Sequence, residues 1–164
     1  MNPEQLETNL GIVHEWTRNA DNKVSILLGF NGVFLLAFLS TSLDRIISAF
    51  NTWLLFTGYC VAFILFAVSI YKLLSTIYPY LEHGQEKKSP LFFGDIASMS
   101  LTEFSKKIDM LKNEKIYIEE LKRQIHACSV IAKEKYQKFR DGLAYTGVAI
   151  LLLGLLEIWQ QSQS

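Results

Sequence analysis

The sequence predicts an all-α integral membrane protein with two N-terminal transmembrane helices, a long amphipathic cytosolic helix and a third, C-terminal transmembrane helix. Three observations lead to this fold class. Charge-free apolar runs lie near both ends of the chain, a strongly charged stretch separates them, and an apolar residue recurs every seven positions through that stretch. Half of the 164 residues are hydrophobic and a fifth are charged, as expected of a membrane protein with a soluble insert.

The overall charge is balanced, with sixteen Lys and Arg residues against sixteen Asp and Glu residues. Net charge therefore gives no reason to expect nucleic acid as a partner. The sequence has no metal-ligand spacing, no Gly-rich phosphate loop and no visible acid–base pair, so we expect no metal, no cofactor and no enzyme activity. Cys60 and Cys128 fall in different environments and are expected to be small buried side chains without a disulfide.

Residues 1–22 are expected to form an amphipathic cytosolic helix that enters the membrane. Pro3 suits the first turn of a helix, and Leu6, Leu10 and Val13 recur at helical spacing. Trp16 lies beside this stripe, where an aromatic side chain suits the headgroup level. The stripe either packs against another part of the chain or forms a surface for a ligand or partner.

Residues 23–72 are expected to form a transmembrane hairpin. The run from Val24 to Ser42 carries no formal charge, and a helix of about 20 residues rises about 30 Å, the thickness of the hydrocarbon core. The second span runs from about Trp53 to Tyr71. Asn31 is a polar member of the first span, and such a residue usually hydrogen-bonds a neighbouring helix; a polar pore lining is the alternative.

Basic residues predict the orientation of the chain in its membrane. The connection between the two spans contains Arg45 as its basic residue, whereas the segment after the second span contains many, among them Lys72, Lys87, Lys88, Lys106 and Lys107. The positive-inside rule therefore places the N-terminus and the central insert in the cytoplasm. With three spans, the C-terminus is then expected outside.

Residues 73–99 are expected to be an irregular cytosolic loop, because Pro79, Gly84, Pro90 and Gly94 interrupt any long helix. The loop contains FFGDI at Phe92 to Ile96. Large apolar side chains such as phenylalanine are mostly buried. Both phenylalanines are therefore expected to fix the loop to the core of the insert or to the membrane surface.

Residues 100–141 are expected to form one long cytosolic helix. Ser100 to Glu103 fit a capping box. Apolar residues then recur every seven positions: Phe104, Leu111, Ile118, Ile125, Ala132 and Phe139. This pattern predicts either packing against the chain's own N-terminal helix or self-association as a coiled coil, with a break near Asn113 as an open possibility.

Residues 142–164 contain the third and weakest apolar run. Its charge-free part extends from Gly142 to Leu156, and Glu157 would lie at the outer interface, where a carboxylate costs little. Gly147 and Gly154 lie seven positions apart and would permit close approach of another helix. We expect a full span; a half-embedded helix is the alternative.

Short motifs in this order, at these positions relative to the spans, resemble one family. Trp16, Ala20, Asp21 and Lys23 read W-x3-AD-x-K directly before the first span, Gly94 is the centre of FFGDI, and Gln124 and Tyr136 lie in the later part of the long helix. Together they resemble the transmembrane effectors of Pycsar, a bacterial anti-phage defence system. The resemblance extends from about Trp16 to the last span.

The resemblance implies a membrane effector of an abortive-infection system. A neighbouring cyclase would make a cyclic pyrimidine nucleotide, cyclic UMP or cyclic CMP, and the effector would respond by impairing the inner membrane, so that the cell dies before phage spread. Its partners would be the lipid bilayer, that nucleotide and further copies of itself in a homo-oligomer.

Candidate residues for the nucleotide follow from the chemistry of its parts. Arg and Lys neutralise a cyclic phosphate, and an aromatic ring stacks on a pyrimidine. The residues expected to bind it are Arg18, Phe92, Phe93, Asp95, Arg123, Lys135 and Arg140. The alternative for the basic members is a solvated helix face.

A second hypothesis belongs to another class of protein. The chain would be a membrane-anchored scaffold whose cytosolic, coiled-coil-like helix recruits a partner protein. The seven-residue apolar pattern supports this hypothesis as well as it supports an effector.

Overall fold

The structure is a computed structural model that describes residues 2–49, 52–78 and 88–162. These residues form five helices and no strand: α1 (Pro3–Ser48), α2 (Trp53–Ile77), α3 (Phe93–Ala97), α4 (Leu101–Met110) and α5 (Glu114–Ser162). The prediction of an all-α chain is confirmed. α1, α2 and α5 are each long and apolar enough to cross a membrane, so the three predicted apolar helices are present.

Two of the expected element boundaries are absent. The predicted amphipathic helix and the first span are one helix, α1, and the predicted long helix continues without interruption into the third span as α5. Neither junction contains a proline, so each backbone N–H keeps its acceptor four residues earlier. α2 ends at Ile77, beyond the expected end of the second span.

The prediction of a single helix over residues 100–141 is wrong in one place. α4 ends at Met110, and the next three amide groups bond three residues back, Asn113 N to the carbonyl of Met110 among them (3.1 Å). Such tight bonds close a helix. Asn113 Oδ1 then accepts from Lys115 N (3.1 Å) and begins α5, because Asn prefers the first position outside a helix.

The described residues divide into two compact units. The first takes residues up to Ala20 and from Tyr78 to Lys135, and the second takes Asp21 to Ile77 and residues from Tyr136 onward. α1 and α5 therefore contribute to both units.

In the first unit, the N-terminal part of α1 packs alongside the start of α5, and the two run parallel. Tyr117 Oη donates to Glu7 Oε1 (2.8 Å), and His14 Nε2 lies 3.5 Å from Cys128 Sγ. The buried side of α1 here is the stripe predicted from the sequence, with Leu6, Val13 and Ala20 at seven-residue spacing. The predicted packing against the chain's own N-terminal helix is therefore observed, and self-association stays a prediction.

In the second unit, α1 and α5 again run parallel, and α2 runs antiparallel to both. Asn31 contacts Thr146, while Ser69 of α2 contacts Thr146 and Tyr59 contacts Glu157. Apolar clusters lie on either side of the contacts among Asn31, Thr146 and Ser69. One is centred on Tyr59, Ala62 and Leu153, and the other on Val24, Leu27 and Leu73.

Close approach of helices occurs at glycines other than the predicted pair. A Cβ at Gly147 or Gly154 would meet nothing within 4 Å, so neither residue permits a close contact within the described chain. Instead, a Cβ at Gly58 would lie 2.7 Å from Leu156 Cδ2, and one at Gly142 would lie 2.7 Å from Leu73 Cδ2.

Three further predictions about burial have mixed outcomes. Both cysteines are free; Cys128 is buried, as expected, but Cys60 is exposed on the outer face of α2. Phe92 is buried, as expected of a residue that fixes the loop to the core of the insert, whereas Phe93 is 59% exposed.

Candidate functional site

An open groove of about 1120 Å³ lies in the first unit. It is formed by α4, the first turns of α5 and the segment at Lys88 and Pro90. Its size slightly exceeds that of most small-molecule sites. Apolar side chains form part of the wall: Pro90, Met110, Leu111 and Ile116.

The groove is rich in charge. Its cationic lining residues are Lys88, Lys107, Lys115, Lys122 and Arg123. Its carboxylates are Glu103, Glu119 and Glu120. Five cations against three carboxylates leave a formal excess of two positive charges among the described lining residues, which favours an anionic ligand.

A hydrogen-bond network connects the FFGDI segment to the wall of the groove. Ser89 N donates to Asp95 Oδ2 (2.7 Å), and Ser89 Oγ donates to Glu120 Oε1. Arg123 Nη2 donates to both oxygens of Glu120 (2.7 Å each). The Glu120 side chain is 13% exposed, so this is a part-buried, charge-assisted network that fixes the segment against α5.

Two of the predicted ligand residues, Asp95 and Arg123, are therefore brought together by that network. Phe92 and Phe93 lie in contact with each other, with ring centroids 5.0 Å apart, but the groove lining does not include them. Arg123 is the predicted residue that lines the groove.

The remaining predicted ligand residues lie elsewhere. Arg18 is exposed on α1, and Lys135 is buried at 7% exposure on α5. Arg140 belongs to the second unit, where its guanidinium is exposed and lies 3.7 Å from Asp141 Oδ1. Of the seven predicted ligand residues, the lining of this groove includes Arg123.

The residues that carry the family resemblance lie within helices or in contacts between helices. Ala20 is fully buried, Trp16 is 52% exposed, and Gly94 lies within α3. In the second unit, the Lys23 ammonium lies over the Tyr136 ring, 5.3 Å from its centroid. This cation–π contact joins α1 to α5, so two signature residues far apart in sequence meet. Asp21, also in the second unit, is partly buried.

Gln124, another signature residue, lies beside a buried thiol. Its Nε2 donates to Cys128 Sγ (3.7 Å), and its Oε1 has no hydrogen-bond partner among the described residues. Burial raises the pKa of the Cys128 thiol, and the Gln124 hydrogen bond only partly opposes this. A protonated, buried thiol is a poor nucleophile, so this site is a packing contact. No three His, Cys, Asp or Glu side chains of the described residues are grouped to hold a metal ion.

The second unit contains a polar node, defined by Asn31, Ser69 and Thr146, each at most 2% exposed. Asn31 Nδ2 donates to Thr146 Oγ1 (3.1 Å), and Ser69 Oγ donates to the Gly142 carbonyl (2.7 Å). The two hydroxyl oxygens are 2.7 Å apart, so a chain of donors runs from α1 through α5 to α2 and back to α5. The predicted interhelical hydrogen bond of Asn31 is confirmed.

A second polar cluster lies near the last turns of α1 and α5. Arg45 forms an ion pair with Glu157, and Tyr59 Oη donates to Glu157 Oε1 (3.2 Å). Gln160 Nε2 donates to the Arg45 carbonyl (2.9 Å). The carboxylate of Glu157 is thus paired and hydrogen-bonded, which removes most of the cost of placing it at the end of an apolar helix.

Sequence reasoning missed the groove residues Lys107, Lys115 and Glu120. One signal was present, since Lys115, Glu119 and Lys122 recur at helical spacing and must share a face of α5. The contribution of Ser89 had no sequence signal, because its partners are six and 31 residues away.

Comparison with known proteins gives one family. Residues 5–159 match the family model PycTM, described as the Pycsar effector protein domain. Neither the curated proteins nor the solved structures contain a match. The family match covers nearly the whole chain and includes all three apolar helices. The chain therefore belongs to the PycTM family, and it is a membrane effector of a Pycsar anti-phage system.

Proposed function

We propose that this effector is activated by a cyclic pyrimidine nucleotide, cyclic UMP or cyclic CMP, made by a neighbouring cyclase, and that the activated protein impairs the bacterial inner membrane and kills the cell. The family match supports the defence role. The observation that carries the ligand part is the groove of the first unit, whose excess positive charge and apolar wall suit a phosphate and a base.

The proposed orientation keeps the N-terminus and the central insert in the cytoplasm and the C-terminus outside. Two observations support it: basic residues are concentrated in the insert, and α1 and α5 run parallel in the second unit while α2 runs antiparallel. Parallel helices cross a membrane in the same direction, so the segments that precede both would share one side.

The proposed mechanism has no catalytic step and acts in a homo-oligomer. Nucleotide in the groove would favour one arrangement of α4 and α5 over another, and α5 continues as an apolar helix. A ligand can shift such an equilibrium only through different affinities for the two states. The shift would open a conduit or disrupt the bilayer.

Dye release from liposomes tests this proposal. The purified full chain is reconstituted into vesicles of bacterial lipid loaded with a self-quenching dye, and cyclic UMP, cyclic CMP, cyclic AMP or buffer is added. We expect release with a pyrimidine cyclic nucleotide and none with cyclic AMP or buffer. Empty vesicles given the same nucleotides are the control. Silence with every nucleotide would contradict direct activation.

A scaffold remains the second candidate, because α4 exposes apolar side chains. Leu101 is 81% exposed and Met110 is 59% exposed, which would suit a protein partner. The same liposome experiment separates the two functions, since a passive scaffold would release no dye by itself.

A further inference from the structure

Pairing divides the cations of the groove into two groups. Lys122 Nζ lies 2.8 Å from Glu119 Oε1, and Arg123 is held by both oxygens of Glu120. The charge of each of these cations is thus compensated by a carboxylate on the same helix. An incoming anion would have to displace a carboxylate to use them.

Lys107 and Lys115 are held less tightly, because Lys107 has a longer ion pair than Lys122 or Arg123 and Lys115 has none among the described residues. The Lys107 ammonium lies 3.9 Å from Glu103 and donates to the Lys88 carbonyl (2.6 Å). An ammonium has three donors, so two of its donors remain. Lys115 has no ion-pair partner among the residues that the structure describes. The three lining carboxylates pair with Lys107, Lys122 and Arg123. The excess of two positive charges therefore resides on Lys115 and on Lys88, whose ammonium donates to the Ser98 carbonyl (2.9 Å), while Lys107 adds its two remaining donors.

We infer that Lys107 and Lys115 form the subsite for the phosphate of the ligand, and that Arg123 acts as a positioning residue that holds Glu120 and, through it, Ser89. This inference rests on the proposed function for the identity of the ligand as a cyclic pyrimidine nucleotide. It changes the prediction made from the sequence, in which Arg18, Arg123, Lys135 and Arg140 were the basic residues for the phosphate.

The apolar wall of the groove offers a contact surface for the base of the nucleotide. Met110, Leu111 and Ile116 lie at the junction of α4 and α5, on the same groove as the two lysines. A planar base can lie against such a wall, and a methionine adapts to its shape. The subsite thus joins an anion-binding part to an apolar part within one unit.

Binding measurements on the detergent-solubilised full chain test the subsite. The variants are Lys115→Gln and Lys107→Gln, with Lys112→Gln as the matched control, because Lys112 lies near the junction but pairs with Asp109 outside the groove. The ligands are cyclic UMP, cyclic CMP, cyclic AMP, UMP and pyrophosphate, measured by isothermal titration calorimetry. Circular dichroism reports whether each variant is folded.

We expect the parent and Lys112→Gln to bind a phosphate-bearing ligand with similar Kd, and Lys115→Gln to raise that Kd about tenfold or more, as loss of a charge-assisted hydrogen bond would. Lys107→Gln should act in the same direction. The Lys107 ammonium also donates to the Lys88 carbonyl, so Lys107→Gln removes a contact within the fold as well. Lys115→Gln is the decisive variant, because the Lys115 side chain has no hydrogen bond or ion pair among the described residues.

The possible results separate the two proposals. Pyrimidine cyclic nucleotides that bind equally well to parent and Lys115→Gln overturn the subsite and leave the proposed function standing. Pyrophosphate or cyclic AMP binding that depends on Lys115, without binding of cyclic UMP or cyclic CMP, supports the subsite and overturns the proposed messenger. A parent chain that binds none of the five ligands overturns the subsite.

Discussion

Single residues decide how closely the helices of the second unit pack. A Cβ at Gly142 would lie 2.7 Å from Leu73 Cδ2 and 2.8 Å from its Cγ. Leu73 is fully buried, so it has no space to move away. Gly147, only five residues further along α5, faces open space. The two glycines therefore have opposite roles in the same helix.

Substitution of these two glycines should have different effects on stability. We expect Gly142→Ala to lower the free energy of unfolding by about 1–3 kcal/mol, because a well-packed site must accept an extra carbon atom. Gly147→Ala should be neutral or raise stability by up to about 1 kcal/mol, since alanine favours the helix over glycine. Thermal unfolding in detergent micelles measures both; equal effects would contradict the packing described at Gly142.

The buried thiol of Cys128 predicts a loss of stability at alkaline pH. Its pKa in the folded state is raised above the ordinary value of 9.0 by burial. The folded state thus binds this proton more tightly than the unfolded state does. The resulting stability is complete below the ordinary pKa and is lost as the pH rises through the folded pKa.

Melting temperatures from about pH 8 to about pH 10 check this prediction. We expect the parent chain to lose more stability over that range than Cys128→Ala, which has no thiol to titrate. The Tyr117 hydroxyl titrates in the same direction, because its hydrogen bond to Glu7 raises its pKa, so Tyr117→Phe is measured beside it. Parallel curves for parent and Cys128→Ala would show that the thiol contributes nothing.

At the scale of elements, the junction between α4 and α5 is where the sequence was hardest to interpret. The apolar pattern passes through Leu111 without a change of phase, so periodicity predicts one helix there. The break depends on a local competition, in which the Asn113 side chain bonds to Lys115 N and replaces a continuing helical bond. A pattern of apolar residues cannot show that competition, although Asn113 could be suspected.

The cap at Asn113 should be measurable. We expect Asn113→Ala to lower stability by about 1 kcal/mol, as loss of an N-cap usually does, and to speed hydrogen exchange of the amide groups in the first turn of α5. Lys112→Ala is the matched control, because its exposed pair with Asp109 contributes little. An unchanged exchange rate in Asn113→Ala would mean that the junction is fixed by packing instead.

In the candidate site too, the sequence indicates some residues by their chemistry, whereas the contacts between them depend on the tertiary fold. Asp95 and Arg123 could be chosen from the sequence because their chemistry suits a nucleotide. Their connection through Ser89 and Glu120 depends on how the loop folds back on α5. Lys135 illustrates the reverse case, since its chemistry is suitable but its position is buried.

For the whole molecule, the polar node of Asn31, Ser69 and Thr146 has the widest consequences, because it joins all three apolar helices. The sequence predicted that Asn31 would bond to a neighbouring helix, but the partner depends on the register between α1 and α5, which packing sets. In a bilayer the apolar faces of helices gain little from contact with each other compared with lipid. Polar contacts at the centre therefore fix which faces meet.

The node should behave as one unit in a double-mutant cycle. We expect Asn31→Leu and Thr146→Val each to lower stability in micelles by about 0.6–2 kcal/mol, the range for interhelical hydrogen bonds. The combined variant should lose less than the two losses added together, because the second change removes a partner that the first has already deprived of its bond. Ser40→Ala is the control, since that hydroxyl is exposed and bonds within its own helix.

Additive losses would contradict this view of the node. They would mean that apolar packing around Leu73 and Leu153 sets the arrangement of the three helices, and that the polar residues act independently of one another. With non-additive losses, a rearrangement that separates Asn31 from Thr146 must break a buried chain of hydrogen bonds. Under the proposed function, the binding free energy of the cyclic nucleotide would then have to include that cost.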